Sequence, residues 1–219
     1  MINFNFPGGD NFFDEDSPSL ILFTSGTTGK PKGVVHSFST LSHQLKDLHS
    51  AWEISSDDEM FFSLPLNHIH GLVTGMLNGL ASGASVTIHG QFEAEQAWRR
   101  LTEARTSFFT AVPAIYSKLL TFARANEKSF NLDHLRLMIS GSSSLSTPLL
   151  ESWMSNFGKK CIVERYGMTE TGMITSNNIH SAKAGCVGKA LDSIEVKIDR
   201  NTEGFGQVLV KGPGLFKGY

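Results

Sequence analysis

The chain has 219 residues, 40% hydrophobic and 18% charged, a composition that excludes disordered, collagenous and coiled-coil classes. Its 19 Lys and Arg against 21 Asp and Glu leave a formal net charge of -2, so there is no basic field to recruit nucleic acid or an anionic membrane surface. Two cysteines, Cys161 and Cys186, are too few for a disulfide framework or a four-thiolate zinc site, which predicts reduced thiols in an intracellular, by default cytoplasmic, protein.

Met1 to Asp16 carries Asp10, Asp14, Glu15 and Asp16 and no Lys or Arg, the wrong charge for a signal or transit peptide. Ser19 to Phe23 reads as a buried strand feeding a polar glycine loop, Thr24 to Gly33. After Val34 and Val35, the spacing of Leu41, Leu45, Leu48 and Trp52 predicts a helix. The 33 residues Met60 to Phe92 carry no Asp, Glu, Lys or Arg and are long enough to cross a membrane. Pro65, Asn67, His68, His70, Asn78 and His89 interrupt them, however, which favours a strand at Met60 to Leu64 and a helix through Leu72 to Leu80. Gly71, Gly75, Gly79 and Gly83, four apart, place a bare stripe on that helix, where a neighbour can approach closely.

The alternation continues with a strand at Ala84 to Ile88 and a helix bearing Ala94, Ala97, Trp98 and Leu101. A strand from Phe108 to Val112 is stopped by Pro113, and Ile115, Leu119 and Phe122 mark the helix after it. Leu135 to Ile139 is a strand ending in Ser140-Gly141-Ser142-Ser143-Ser144, followed by a helix with Thr147 as its cap and Pro148 in its first turn. Cys161 to Val163 opens the last buried strand, before Tyr166-Gly167-Met168-Thr169-Glu170. From Val187 the period changes to two, with Ile194 to Ile198 and Gln207 to Val210 forming an antiparallel hairpin. These units predict an α/β fold: a mostly parallel sheet with helices on both faces, plus a small C-terminal antiparallel β appendage, with ligand loops at the carboxyl ends of strands. The expected organisation is an N-terminal tail over 1–18, an α/β core over 19–185 and the appendage over 186–219.

The Thr24 to Lys32 loop combines hydroxyls, turn glycines and two lysines, the inventory of a polyphosphate cradle. It is not a Walker loop, because only Thr27 and Thr28 separate Gly26 from Gly29 and Pro31 follows Lys30. The serine cluster lacks the G-x-S-x-G of a nucleophile elbow, and His68 and His70 have no third ligand in sequence to make a zinc site.

Thr24 to Gly33 resembles the phosphate-loop signature of the adenylate-forming superfamily of acyl-CoA synthetases, adenylation domains and luciferases. Arg165 to Glu170, Leu64 to Gly71 and Gly206 to Pro213 resemble further segments of the same family, in the same order. The resemblance implies an acid–thiol ligase in which a carboxylate attacks the α-phosphate of ATP, releasing pyrophosphate, and a thiol then displaces AMP. It implies that Thr24, Ser25, Gly26, Thr27, Thr28, Gly29 and Lys30 bind the β- and γ-phosphates, with Lys30 also catalytic. Tyr166 would stack on adenine, whose edge Gly141, Ser142 and Ser143 would line, with Gly167 and Met168 completing the nucleotide site. Catalytic Thr169 would donate to the α-phosphate, Glu170 would hold Mg²⁺, and His70 and Ser140 would border the acid.

The string Glu164-Arg165-Tyr166 is similar to that of malonate-CoA ligases. A second carboxylate entering a buried pocket must be paired, and a guanidinium fork does this bidentately. Arg165 is therefore the expected malonate ligand and CoA the expected acceptor; the competing reading gives Arg165 an ion pair with a neighbour. The family also has a long segment before the phosphate loop, and beyond it a ribose-binding aspartate and a mobile domain with a catalytic lysine. None of these is in the sequence, which leaves two expectations: a ligase piece weak on its own, or an inactive nucleotide-binding module. Exposed sheet edges would then favour self-association.

Overall fold

The computed structural model describes residues 14–25, 30–127, 130–158, 162–180, 182–200 and 206–219; Gly26, Thr27, Thr28, Gly29 and Cys161 lie outside them. In chain order, a hairpin of β1 (Pro18–Thr24) and β2 (Lys32–Ser37) precedes helix α1 (Phe38–Trp52). Then come β3 (Glu59–Phe62), a π-helix (His70–Leu77) running into α2 (Asn78–Ser82), β4 (Ser85–Ile88), α3 (Ala94–Leu101), β5 (Phe108–Ala111), α4 (Pro113–Ala125), β6 (Leu137–Ser140) and α5 (Thr147–Phe157). The remainder is β7 (Val163–Met168), β8 (Gly172–Ser176), β9 (Lys189–Ala190), β10 (Glu195–Arg200) and β11 (Gly206–Lys211).

Seven strands form one sheet in the order β4-β3-β5-β6-β7-β8-β9. The pairs from β4 to β7 are parallel; β8 and β9 join antiparallel. Strand period two divides the apolar residues between the faces. Phe61, Phe109 and Met138 face Trp98, Tyr116, Leu119 and Trp153 of α3, α4 and α5. Met60, Phe108, Leu137 and Ile139 face Leu48 and Trp52 of α1. With both faces covered, β3, β5 and β6 are buried throughout, as parallel strands require. β10 and β11 form the separate antiparallel hairpin expected from the sequence, while β9 and buried Leu191 and Ile194 tie the preceding stretch to the main sheet.

Gly75 and Gly79 of the glycine stripe allow the close approach that the spacing predicts, whereas Gly83 lies beyond α2 as its left-handed C-cap. A Cβ on Gly75 would lie 2.8 Å from the Phe62 ring and one on Gly79 2.5 Å from Val86, so the π-helix and α2 rest directly on β3 and β4. No described helix is long and apolar enough to cross a membrane.

Several expectations are corrected. Ser19 to Phe23 is not a buried strand of the main sheet: it belongs to β1, which pairs antiparallel with β2, and Phe23 is 70% exposed. Two adjacent hydrophobic residues, Val34 and Val35, were too short a signal for β2. Thr24 therefore ends an antiparallel strand, not a parallel one. The helix after His70 begins with π geometry. Ser146, not Thr147, caps α5, its side chain accepting from Leu149 N, which moves Pro148 one place further in. The last parallel strand continues through the Tyr166 motif, because Arg165 and Tyr166 pair with Ser176 and Thr175 of β8.

Candidate active site

A cavity of about 530 Å³ opens at the carboxyl ends of the parallel strands, between the start of the π-helix, the loop after β6 and the end of β7. Pro65, His70, Val112, Ser142, Arg165 and Thr169 are among its walls. The structure thus brings together His70, Ser142, Arg165, Gly167, Met168 and Thr169 from segments distant in sequence.

His70 is buried, with Nδ1 2.9 Å from the Ser142 hydroxyl and Nε2 2.9 Å from the Thr110 hydroxyl. Burial, and secondarily the positive charge of Arg165, hold its pKa well below the ordinary 6.5. Ser142 adopts φ 66°, a left-handed conformation uncommon outside glycine. The Ser142–His70 pair is not a nucleophile and its base: the other ring nitrogen meets a threonine, with no carboxylate to orient it. His68 is exposed while His70 is buried, both line the cavity, and no cluster of three or more His, Cys, Asp or Glu suited to a metal occurs among the described residues.

Arg165 is 6% exposed, and burial lowers its pKa to about 10. Its Nε and Nη2 make no hydrogen bond, and no ion pair reaches it among the described residues. Neighbouring Glu164 accepts instead from Gly185 N at 3.0 Å, so the expected competitor, an Arg165 ion pair with that neighbour, does not form. Room for the guanidinium comes from Gly141, where a Cβ would fall on the Arg165 Nε and Cζ atoms. The Ser140 hydroxyl on β6 is buried and also without a partner, and Ser143 is exposed.

Beyond Arg165, β7 bulges at Tyr166 and Gly167 and turns into β8. Tyr166 leaves 37% of its surface exposed. Met168 N donates to Thr171 Oγ1 at 3.2 Å, tightening the turn that carries Thr169 and Glu170. Sequence reasoning missed what holds this turn from outside. His36 of β2 donates from Nε2 to the Thr169 carbonyl at 2.7 Å, Phe216 N donates to the Glu170 carbonyl at 2.8 Å, and the Tyr219 hydroxyl donates to Glu170 Oε1 at 3.1 Å. Lys32 Nζ sits 4.7 Å over the Tyr219 ring. Thr24 and Lys32 face each other at the loop end of the β1–β2 hairpin, with Ser25 and Lys30 exposed beside them. A lone histidine in a valine-rich stretch looks like core, and only its place three residues after the phosphate-loop string could have marked it.

Burial also lowers the pKa of His36. Because the fold disfavours protonation of both histidines, unfolding takes up protons as the pH falls through their ordinary 6.5. Their contribution is therefore fully present above 6.5 and is lost as the pH falls below it. Denaturant unfolding is expected to show lower stability at pH 5.5 than at pH 7.5, with a smaller difference in His70→Asn. A pH-independent stability would contradict the burial of both rings.

Residues 7–219 match the family described as AMP-binding enzyme. The malonate–CoA ligase of Arabidopsis thaliana is 40% identical over 93% of this chain and 37% of its own length. A malonyl-CoA ligase structure holding methylmalonyl-CoA and AMP superposes with a TM-score of 0.88 at 36% identity, covering 96% of this chain and 47% of that one. ATP-bound MatB from Rhodopseudomonas palustris gives 0.84 at 33% identity, covering 94% and 42%. The chain spans less than half the length of each of these proteins. It belongs to the AMP-binding enzyme family.

Proposed function

We propose that the chain carries the adenylation site of a malonate–CoA ligase. One carboxylate of malonate attacks the α-phosphorus of ATP, pyrophosphate leaves, and the thiol of CoA then displaces AMP. The first step brings negative charge onto negative charge, so cations and aimed donors do more here than a protein nucleophile could. The single observation that carries the choice of acid is the buried Arg165 guanidinium, two of whose nitrogens have no partner, on a residue that lines the cavity. Malonate's distal carboxylate matches that fork, and a fatty or aromatic acid leaves it unpaired. Neutral His70 and the Ser140 hydroxyl border the same acid.

For the nucleotide, Thr24, Ser25, Gly26, Thr27, Thr28, Gly29 and Lys30 take the β- and γ-phosphates, Tyr166 stacks on adenine, and the Thr169 hydroxyl donates to the α-phosphate. Gly141, Ser142, Ser143, Gly167 and Met168 line the remainder. Glu170 suits Mg²⁺: a hard carboxylate, engaged through Oε1 alone by Tyr219, matches an ion that takes one or two carboxylates and draws the rest from phosphate and water. When bound, the ion supplies charge neutralisation on the phosphates.

Unfolding temperature tests the reading. Mg²⁺-ATP at 100 times its Kd is expected to stabilise the fold by about 2.7 kcal/mol, a rise of roughly 5–10 °C. Malonate should add a further rise that acetate and butyrate do not. A cooperative transition indifferent to ATP would overturn the nucleotide site, and an ATP response without a malonate increment would overturn the acid.

A further inference from the structure

We propose that His36 is a positioning residue for the nucleotide site: through the Thr169 carbonyl it fixes the turn that presents Thr169 and Glu170, and it locks that turn to the phosphate-loop hairpin. The inference rests on the reading above for the roles of Thr169 and Glu170, but its geometry does not. His36 is fully buried on β2, and its Nε2 lies 2.7 Å from the Thr169 carbonyl. A carbonyl only accepts, so the proton sits on Nε2 and Nδ1 is left as an acceptor. Gln44 of α1 answers it: its Nε2 lies 3.4 Å from Nδ1 and also donates to the Gly214 carbonyl at 2.6 Å. The chain of bonds has one direction, from Gln44 through the imidazole to Thr169.

Gln44 also braces the far end of the turn. Gly172 has φ 63°, and a Cβ there would fall on the Gln44 carboxamide, so that side chain occupies the space Gly172 vacates. The turn is thus gripped at Thr169 by His36 and at Gly172 by Gln44. Because a peptide unit is planar, holding the Thr169 carbonyl also fixes the plane of the Thr169–Glu170 bond and hence the Glu170 amide. A leucine would fill the same buried volume, but it could not aim a donor. A lysine or arginine would place a permanent charge beside Glu170 and compete with any cation bound there. Neutral imidazole supplies direction without charge.

Two isosteric replacements separate bonding from filling. The Gln amide reaches about as far as imidazole Nε2, whereas the Asn amide reaches only the Nδ1 position. In the ligand-free protein, His36→Asn is expected to accelerate hydrogen exchange about tenfold in the segments 166–172 and 214–219, with β3, β5 and β6 unchanged, while His36→Gln stays within about threefold of the parent. ATP affinity measured with Mg²⁺ should fall about tenfold in His36→Asn and recover in His36→Gln, and affinity without Mg²⁺ should move less than about threefold in either. Should His36→Asn not fold, Gln44→Leu, which removes the donor to Nδ1, replaces it with the same exchange expectation. Unchanged exchange in the turn, acceleration spread evenly over the protein, or failure of Gln to rescue overturns the proposal. If the parent protein binds no ATP, the functional reading falls and the exchange comparison alone decides the positioning role.

Discussion

Arg165→Met is expected to raise the unfolding temperature of the ligand-free protein and to abolish its response to malonate. The two effects have one cause. A buried guanidinium with two unpartnered nitrogens carries a desolvation penalty in the empty site, and its lowered pKa expresses that penalty. Replacing a buried ion pair with apolar side chains of similar volume often stabilises proteins by about 1–4 kcal/mol, and removing an unpaired buried charge is expected to act in the same direction and on the same scale here, roughly 2–16 °C. Truncating one partner of a buried charge pair costs about 2–5 kcal/mol, so malonate affinity should fall by at least about 30-fold and up to several thousandfold. ATP-dependent stabilisation should survive, because Arg165 is assigned to the acid alone. Paired thermal scans with ATP, and with ATP plus malonate, read all three quantities. A lower unfolding temperature with malonate binding retained would show that Arg165 is a structural residue.

Gly141→Ala is expected to reproduce the loss of malonate response while leaving Arg165 in place. The new methyl would fall on the Arg165 Nε and Cζ atoms. Those atoms lie near the end of a flexible side chain, so the fold accommodates the methyl by moving the guanidinium, and stability should change by less than about 1 kcal/mol. The position of the fork does not survive that movement. A displacement of about 1 Å in a bidentate pair is enough to cost about 100-fold in a positioned reaction, which sets the expected fall in malonate-dependent turnover or binding. Calorimetric titration with malonate in the presence of ATP checks it. Unaltered affinity would mean that Arg165 binds the acid from a different rotamer or not at all. The expected role of Gly141 shifts accordingly: its bare backbone makes room for the acid's partner, in addition to any place at the edge of adenine.

The main sheet was legible because its strands are short, apolar and separated by amphipathic helices; Met60, Phe108 and Leu137 and their successors declare a sheet buried on both faces. The hairpin of β1 and β2 was not legible, since Ile21 and Phe23 have the composition of a core strand yet point outward, and no local signal distinguishes a buried apolar strand from an exposed one. Arg165 stood out because the string Glu164-Arg165-Tyr166 is similar to that of malonate-CoA ligases, and the structure adds what its letter alone could not: that no ion pair reaches it among the described residues. His36, Gln44 and Tyr219 escaped because their meaning lies in pairings across the fold. Each is unremarkable beside its own sequence neighbours and acquires a role only against the turn at Thr169 and Glu170.

That arrangement also orders events in time. Met168 and Thr171 are three residues apart, so the turn closes locally and quickly. His36 and Thr169 are 133 residues apart, and bringing such distant points together costs about 3 kcal/mol more in loop-closure entropy than closing the turn. During refolding, the turn will exist before the strand that aims it arrives. ATP-binding competence should therefore lag behind the burial of Trp98 and Trp153, making it a late marker of folding, and tryptophan fluorescence followed alongside nucleotide binding would resolve the two steps.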